Sequence, residues 1–289
     1  MRSNYVKGGT EQLGFRVAAG SCTIADMPAN QRTLLAWLER EVRAARPVAL
    51  RYFRSSSLRV DRKADASPVT AADRAVEERL RRALRRACPG ETIVGEEFGT
   101  TGRPGSDYWT VDPIDGTRAF SRGLPTWSIL IAKVERGVPV LGLCDFPALG
   151  ITLGVARGVP AFERERGQVT RLRKPRDVAK LADAVLLHGG LRWWPAGSGQ
   201  RARFIRLAHS VFLERAYGDA YGYLWGLRGY ADVVMDYGVK IWDMAPLAAL
   251  AAATGRVMTD FAGRPSFTGP DTIMASPRLN RLVVKILTR

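Results

Sequence analysis

The segment WTVDPIDGTRAF, from Trp109 to Phe120, constrains the fold more than any other part of the chain. It leads from a strand-like run into two carboxylates, Asp112 and Asp115, which are three residues apart with Pro113 between them. Proline keeps the backbone extended or turning here, so both side chains can converge on one hard cation through oxygen. The segment therefore predicts a turn that holds a metal.

The next two residues, Gly116 and Thr117, indicate the start of a short helix. Thr117 is a favoured helix cap, and the first N–H groups of a helix have no acceptor within it. Such N–H groups bind phosphate. The segment thus predicts a metal and a phosphate at one turn.

Composition limits the class of protein. The chain has 289 residues, 46% hydrophobic and 25% charged, which is typical of a globular protein with a substantial core. Lys and Arg number 44 against 28 Asp and Glu, and the net charge of +16 favours anionic partners, nucleic acid included. The widely spaced Cys22, Cys88 and Cys144 argue against a disulfide framework or a zinc knuckle, and favour a reducing, cytoplasmic setting.

The chain divides by pattern into an extension and one large unit. Residues 1–27 carry neither a clear signal peptide nor a clear transit peptide, and we interpret them as a loose N-terminal extension. Residues 28–289 form the folded unit, whose two packed halves span about 28–165 and 181–289, with an exposed hairpin and loop between them. Because no apolar run approaches the roughly 20 residues of a membrane span, no membrane partner is expected.

Two helices are predicted near the start of this unit. Leu34, Leu38 and Val42 have helical spacing, and Pro47 should kink or divide their helix. Asp73 lies at the very start of the second helix, where its carboxylate could complement the helix dipole or point into a cleft, and capping is the simpler interpretation. Its arginines, Arg81 among them, are predicted to form a solvated face.

The segment after the second helix predicts a short strand that ends in two acids, Glu96 and Glu97. Neighbouring side chains on extended backbone point to opposite sides, so at most one of them should face a site. A solvated loop is the simplest interpretation of these acids alone. Residues 125–162 predict an antiparallel meander, with Lys133 at an edge or facing outward.

Four aromatic residues later in the chain have less specific patterns. His188 and His209 lack the spacing of metal ligands and are interpreted as structural. Trp193 and Trp194 could line a pocket or pack in the interior.

Asp243 opens an alanine-rich helix and, alone, would be interpreted as a helix cap. Together with Glu96, Asp112 and Asp115 it forms a set of oxygen ligands rich enough for more than one Mg²⁺. The set lacks the Cys or His that zinc would favour. The combination points to a magnesium site.

Three motifs in this chain resemble the signature motifs of the inositol monophosphatase superfamily, in the same order and spacing: GEE at Gly95 to Glu97, DPIDGT at Asp112 to Thr117, and WD at Trp242 to Asp243. The resemblance extends from about Asn30 to the end. It implies an α+β fold, a layered α-β-α-β-α sandwich of the inositol monophosphatase and fructose-1,6-bisphosphatase type, usually a homodimer. It also implies Mg²⁺-dependent, lithium-sensitive hydrolysis of a phosphate monoester in the cytoplasm.

The resemblance assigns roles to individual residues. Thr117 with Glu96 would position and activate the attacking water, and Gly116 with Thr117 would bind a phosphate oxygen through N–H groups. Asp73, in the element PVTAAD, would support an additional, weakly held metal or its water, and Lys63 lies in the same element. Two or three Mg²⁺ ions would be bound by Glu96, Asp112, the backbone carbonyl of Ile114, Asp115 and Asp243.

Within the superfamily, the segments ALRYF, KADASPVTAAD, DPIDGTRAFSRGLPTWSILIA and YGDAYGYL resemble the histidinol-phosphate phosphatase branch, which makes L-histidinol in histidine biosynthesis. Asp236 falls where the family places an acidic substrate contact, and an acid there could pair with the amine of histidinol. Asp219 is a second candidate for that contact, with structural hydrogen bonding as its alternative. The residues after Asp243, MAPL, depart from the family's Ala-Gly pair, so packing beneath Asp243 should differ.

Three hypotheses follow for the function. The leading one is a Mg²⁺-dependent histidinol-phosphate phosphatase. A second keeps the chemistry but takes inositol 1-phosphate, a sugar phosphate or 3′-phosphoadenosine 5′-phosphate, for which a basic rim would be useful. A third, from the net charge of +16, is a basic nucleic-acid-binding protein on an inactive phosphatase fold. The complete ligand set argues against the third, so a small phosphorylated substrate is expected and nucleic acid is not.

Overall fold

The computed structural model of the chain describes residues 30–56, 58–62, 68–103, 105–195, 197 and 199–289. The predicted extension, residues 1–27, lies outside the described residues, as do Cys22 and Lys63. The other two cysteines, Cys88 and Cys144, are free and buried. None of the described helices combines the length and the apolar character that crossing a bilayer requires.

The described residues contain seven α-helices. They are α1 (Gln31–Tyr52), α2 (Ala71–Ala87), α3 (Thr117–Ser121), α4 (Gln200–Ala208), α5 (Asp219–Arg228), α6 (Ile241–Ala253) and α7 (Pro277–Leu287). Two short 3₁₀ turns, Leu181–Asp183 and Leu191–Trp193, flank the strand between them.

Fifteen strands occur in the same residues. They are β1 (Val60–Arg62), β2 (Pro68–Thr70), β3 (Thr92–Gly95), β4 (Gly99–Thr101), β5 (Tyr108–Asp115), β6 (Ser128–Glu135), β7 (Val138–Phe146), β8 (Ile151–Ala156), β9 (Val159–Glu165), β10 (Gln168–Arg171), β11 (Val185–His188), β12 (Leu213–Arg215), β13 (Val233–Tyr237), β14 (Val257–Thr259) and β15 (Asp271–Ala275).

The strands form two main sheets and a small β1–β2 pair. The larger sheet has the order β10-β9-β8-β7-β6-β5-β3-β4, and β6 to β9 are the predicted antiparallel meander. Its β3 and β5 are parallel. The smaller sheet has the order β12-β11-β13-β15-β14, with β11 parallel to both neighbours.

Helices cover both sheets and fill the space between them. α1 and α2 pack on the outer face of the larger sheet, α5 and α6 lie between the sheets, and α4 and α7 cover the smaller sheet. This is the predicted α-β-α-β-α sandwich. α6 approaches β7 so closely that a Cβ on Gly142 would lie 2.4 Å from the Pro246 carbonyl oxygen. The absence of a side chain at Gly142 lets the inner helix layer pack directly on the sheet.

The first helix differs from its prediction at Pro47. Helix α1 runs unbroken from Gln31 to Tyr52, with Asn30 accepting the Thr33 N–H at 2.9 Å as its cap. Pro47 lies on the exposed face, while Ala45 and Ala49 on either side of it are buried. Packing of that buried face holds the helix together although proline supplies no backbone N–H.

Arg81 was predicted to be solvated, and that prediction is wrong. Its side chain is buried, at 2% relative exposure, with Nε 2.6 Å from the carboxylate of Glu77. It also donates to the Thr101 hydroxyl at 2.9 Å and to the Gly99 carbonyl. The carboxylate and the two neutral acceptors replace the water that a buried guanidinium loses.

The prediction of an edge or outward position for Lys133 is also wrong. Lys133 lies on β6, between β5 and β7, and is 7% exposed. Its Nζ is 3.0 Å from the Glu91 carboxylate and 5.5 Å from the centre of the Trp109 ring. An ion pair and an aromatic face thus allow a lysine at the centre of the sheet.

The stretch between the predicted halves contains the expected hairpin, formed by β9 and β10, and then an irregular segment up to Leu181. On β9, Glu163 accepts from the Arg228 guanidinium of α5, with Nε at 2.9 Å. This ion pair links the hairpin to the helix layer between the sheets. The division into two halves stays a prediction.

Candidate active site

Asp112 and Asp115 lie at the end of β5, where a break in strand pairing brings them together. The register between β5 and β6 shifts between these two residues. In a regular strand, residues three apart face opposite sides, so the shift allows both carboxylates to reach one side. Asp243, from the first turn of α6, joins them, and one oxygen of each carboxylate lies within 4.8 Å of the others.

Backbone and hydroxyl donors orient these carboxylates. Asp112 accepts the Ile114 N–H at 3.0 Å. Asp115 accepts the Ser128 hydroxyl at 3.1 Å and the Ala220 N–H, from α5, at 2.8 Å.

Asp243 both caps its helix and faces the cluster. One carboxylate oxygen accepts the Lys240 N–H at 2.8 Å, in the capping position of α6. The same side chain belongs to the carboxylate cluster. The helix start therefore fixes the position of a carboxylate in the cluster, which confirms the cap, while the role of Asp243 as a metal ligand stays a prediction.

The cluster is short of positive charge. Burial and the neighbouring carboxylates raise the pKa values of Asp112 and Asp115 well above the ordinary value, and burial raises the pKa of Asp243 to about 7. Glu96 lines the same cleft, and its negative charge raises the pKa values of Asp112 and Asp243 further. A donor set made only of oxygen, in which like charges repel, fits a hard divalent cation such as Mg²⁺.

Gly116, and not Thr117, is the cap of α3, because the chain turns there with a left-handed φ of 80° that glycine adopts without strain. The Thr117 hydroxyl oxygen lies 3.0 Å from the Ile114 carbonyl oxygen and 3.2 Å from Asp73 Oδ1. The other oxygen of Asp73 accepts the Thr70 N–H at 2.7 Å, which caps α2. Asp73 therefore caps α2 and contacts Thr117, and its support of a metal or a water stays a prediction.

The turn after β3 sends one of its two acids into the cleft, as predicted. Glu96 lines the cleft, while the Glu97 and Phe98 N–H groups donate to the buried carboxylate of Glu77 at 2.7 and 3.3 Å. A Cβ on Gly95 would lie 2.1 Å from Glu77 Oε1, so only glycine permits this contact. Sequence reasoning missed Glu77, although its place beside Val76 on the apolar side of α2 was a signal.

Two further carboxylates face the cluster from the elements of the smaller sheet. Asp219 opens α5 with a φ of 56°, and a Cβ on Gly116 would lie 3.1 Å from its Oδ2. Burial raises the pKa of Asp219 above its ordinary value, and the positive charge of Arg118 offsets part of that rise. Asp236, on β13, is buried and accepts the Tyr237 N–H at 2.8 Å. Burial and the charge of Asp219 raise the pKa of Asp236 to about 7.

One cleft of about 680 Å³ is lined by the six carboxylates Glu96, Asp112, Asp115, Asp219, Asp236 and Asp243 together with Gly116 and Thr117, and Asp73 lies behind Thr117. The cleft also contains Arg118 and Lys240, to which sequence analysis gave no role in the site. Of the two adjacent tryptophans, Trp193 lines the cleft and Trp194 packs in the interior, so each of the two predicted positions is found once.

The two histidines do not line the cleft. His188 is buried beside Glu214, and its Nδ1 lies 2.6 Å from the Gly189 carbonyl oxygen. His209 is exposed at the end of α4. Both positions are consistent with the structural interpretation.

Residues 30–288 match the sequence model of the inositol monophosphatase family. The histidinol-phosphatase of Mycobacterium tuberculosis is 39% identical to this chain over 237 residues, which cover 82% of this chain and 90% of that protein. The histidinol-phosphatase of Streptomyces coelicolor is 35% identical over 249 residues, covering 84% and 91%. The structure of an inositol monophosphatase from Zymomonas mobilis matches with a TM-score of 0.76 and 28% identity, covering 89% of this chain and 98% of that one.

Proposed function

Since the chain belongs to the inositol monophosphatase family, we propose that it hydrolyses L-histidinol phosphate to L-histidinol and inorganic phosphate. Membership makes it a phosphatase, a phosphoric monoester hydrolase of a magnesium-dependent family. One observation supports the substrate: Asp219 and Asp236 line the cleft together with the carboxylate cluster. The names of the two histidinol-phosphatase relatives agree with it.

The acidic pair suits this substrate because histidinol phosphate carries an ammonium group close to its ester oxygen. An ammonium between two carboxylates forms charge-assisted hydrogen bonds and relieves the repulsion between Asp219 and Asp236. Inositol 1-phosphate and sugar phosphates offer only hydroxyls there, which cannot neutralise two negative charges. The cleft thus favours a cationic leaving alcohol.

In this proposal Mg²⁺ is held by the carboxylates of Asp112, Asp115 and Asp243, with Glu96 and the Ile114 carbonyl completing the set for two or three ions. Bound Mg²⁺ would lower the pKa of a coordinated water and offset the negative charge of the phosphoryl group and of the departing oxygen.

The chain's own groups then orient the water and the phosphate. Thr117, whose hydroxyl lies within hydrogen-bonding distance of Asp73 and Ile114, can donate its proton to Asp73 and accept one from the attacking water. Glu96, on the cleft wall, assists that water, and the N–H groups of Gly116 and Thr117 bind a phosphoryl oxygen. The water oxygen bonds to phosphorus and the water gives up a proton; the bond from phosphorus to the histidinol oxygen breaks, and that oxygen takes up a proton in exchange, so that histidinol and inorganic phosphate leave with the atoms of one water added.

Phosphate release from a panel of substrates tests the proposal. The panel is L-histidinol phosphate, inositol 1-phosphate, fructose 1,6-bisphosphate and 3′-phosphoadenosine 5′-phosphate, each with and without Mg²⁺. We expect kcat/KM for histidinol phosphate to exceed every other value by at least about tenfold, because only it has an ammonium for the acidic pair. A higher value for any other member would overturn the substrate assignment.

The other properties implied by the family resemblance complete the proposal: a cytoplasmic homodimer inhibited by Li⁺. Inositol 1-phosphate, a sugar phosphate and the nucleotide remain the alternative substrates. The alternative of a nucleic-acid-binding protein on an inactive fold is set aside, since the family match identifies a phosphatase and the carboxylate cluster is in place.

A further inference from the structure

We infer that Trp193 and Arg118 form a clamp at the cleft that selects substrates whose leaving alcohol carries a flat heterocycle. The inference rests on the proposed function, because it concerns the same leaving group, and it deepens that proposal by naming the residues that select the ring. The chemical class is a phosphate monoester of an alcohol bearing an aromatic heterocycle.

The two residues reach the cleft from different parts of the fold. Arg118 is on α3, directly after the turn that carries Asp115, and Trp193 is in the 3₁₀ turn that follows β11. The Arg118 guanidinium lies 4.8 Å from the centre of the Trp193 ring. This cation–π contact ties the segment after the larger sheet's β5 to the segment after the smaller sheet's β11, and it fixes the ring beside the carboxylates.

Adjacent tryptophans show that Trp193 is not used for packing in the core. Trp194 is 1% exposed and packs against Phe204 and Phe261, with ring centres 4.9 and 5.1 Å apart. Trp193 is 42% exposed and lines the cleft. The exposed part of this indole adds nothing to the core, and because it lies in the cleft it is available to a ligand.

Two glycines contact one side of the indole. A Cβ on Gly238 would lie 3.5 Å from Trp193 Cγ, and a Cβ on Gly190 would lie 3.7 Å from Cδ1, both at van der Waals distance. The rest of the indole is accessible, because Trp193 is 42% exposed and lines the cleft. A flat heterocycle would stack on this accessible part, within the same cleft as Asp219 and Asp236.

Stacking and charge recognition would then act on different parts of one leaving group. The carboxylates of Asp219 and Asp236 bind the ammonium and Trp193 stacks on the ring. Arg118 holds Trp193 in place through its cation–π contact with the indole. A phosphate ester that has the ammonium but no ring gains only from the carboxylates. The ratio of kcat/KM between two such substrates therefore isolates the clamp.

The test compares L-histidinol phosphate with 2-aminoethyl phosphate, which has the ammonium and the ester but no ring. For Trp193→Ala we expect the kcat/KM ratio of the first substrate over the second to fall roughly 10- to 100-fold, the usual range for losing a stacked base on an aromatic side chain. Trp193→Phe, which keeps an aromatic face, should retain most of the ratio. Phe212→Ala removes an aromatic side chain that is 73% exposed and does not line the cleft, and it should retain the wild-type ratio.

A double-variant cycle assigns the part played by Arg118. If Arg118 acts by holding Trp193, Arg118→Ala lowers the ratio less than Trp193→Ala does, and the double variant is no worse than Trp193→Ala alone. Additive losses would show that Arg118 contacts the substrate independently and would overturn the clamp.

The result on Trp193→Ala is decisive by itself. An unchanged ratio, or equal losses on both substrates, overturns the inference. The wild-type panel separately decides the proposed function: if the nucleotide proves to be the best substrate, the histidinol assignment fails, and the loss of its kcat/KM in Trp193→Ala relative to Phe212→Ala then tests the same clamp.

Discussion

Asp115 shows how much one residue contributes to the site. It belongs to the carboxylate cluster, it accepts the Ser128 hydroxyl beside it in the larger sheet, and it accepts the Ala220 N–H at the start of α5. It therefore connects the strand that carries the cluster to the helix layer that carries Asp219. The carboxylate cluster requires the negative charge of Asp115, whereas the hydrogen bonds from Ser128 and Ala220 require only an oxygen atom.

Replacing Asp115 by Asn separates these contributions. Asparagine keeps an oxygen for the Ala220 N–H but removes the charge, so we expect kcat to fall on the order of 10³-fold or more while the fold is retained. Without Mg²⁺ the thermal midpoint should be unchanged or higher, because one of several repelling charges is gone. Asp183→Asn, at an exposed carboxylate outside the cleft, is the matched control and should behave as wild type. Persisting activity in Asp115→Asn would contradict the proposed metal site.

The buried acid Asp236 makes the stability of the metal-free protein depend on pH. Burial raises its pKa from 3.8 to about 7, so the folded protein binds a proton that the unfolded chain has released. This stabilisation is fully present below the unfolded pKa and is lost as pH rises through the folded pKa. Asp243, with a pKa of about 7, and Asp73, with a pKa of about 6, act with the same sign.

We therefore expect the protein in EDTA to unfold at lower urea concentration at about pH 8 than at about pH 5.5, by roughly 1–3 kcal/mol in unfolding free energy. Asp236→Asn removes one titrating group and should flatten this dependence. Equal or greater stability at the higher pH, measured by urea titration of both proteins, would show that these acids are not held neutral in the fold.

At the scale of elements, helix α2 has two ion pairs of the same spacing in opposite environments. Arg81 and Glu77 are buried, and Arg82 and Glu78 are exposed, with a nitrogen 3.0 Å from a carboxylate oxygen in the exposed pair. The buried carboxylate also accepts the Glu97 N–H of the turn that presents Glu96 to the cleft. The helix thus supports the site through a residue that does not line it.

This contrast predicts unequal effects for two neighbouring arginines. Arg81→Ala leaves the Glu77 charge buried without its partner and should cost about 3–5 kcal/mol in unfolding free energy. It should also lower kcat/KM, because the turn after β3 loses its support. Arg82→Ala should cost less than about 1 kcal/mol. Similar losses in urea titrations of the two variants would refute the distinction.

The same residues show what the sequence could predict. Alternation was enough for the meander, because it depends on local pattern, and the layered sandwich and the grouping of the carboxylates followed from the resemblance of three motifs to the family's. Arg81 and Lys133 were misplaced because a charge is exposed by default, and what overrides the default is a specific partner. Glu91, the partner of Lys133, is 42 positions away in the chain, so the residues around Lys133 do not indicate that an ion pair will form.

Sequence analysis could not place Trp193 and Arg118 together in the cleft wall, for a related reason. Trp193 and Arg118 come from turns that follow strands of different sheets, and their contact exists only once the sheets are stacked. A sequence pattern can mark each as a candidate, but it cannot state which of two adjacent tryptophans turns inward. That choice is made by the packing of Trp194 against Phe204 and Phe261.

At the scale of the whole molecule, charge is distributed unevenly. The chain carries a net charge of +16, yet its cleft is lined by Glu96, Asp112, Asp115, Asp219, Asp236 and Asp243. The positive charge therefore lies mostly outside the cleft, where it attracts anions from a distance. Its effect should be on encounter with the substrate and not on the chemical step.

Salt should accordingly lower kcat/KM more than kcat. Between about 20 mM and about 500 mM KCl, at saturating Mg²⁺, we expect kcat/KM for the phosphorylated substrate to fall roughly 3- to 10-fold and kcat to change less than about twofold. Steady-state kinetics at the two concentrations measure both constants. A kcat/KM that is insensitive to salt would show that the surface charge has no part in substrate capture.

The position of α6 has a consequence for making this enzyme from two polypeptides. Its N-terminal turn supplies Asp243, and its body packs on the strand that contains Gly142, far earlier in the chain. Opening the chain between Arg176 and Asp177, which are both exposed, leaves Asp112 and Asp115 on one fragment and Asp243 on the other. Neither fragment could turn over substrate alone, and each lacks the surface that covers its apolar face. Co-expression of the two fragments should restore phosphatase activity, because each fragment supplies the apolar surface and the carboxylates that the other lacks.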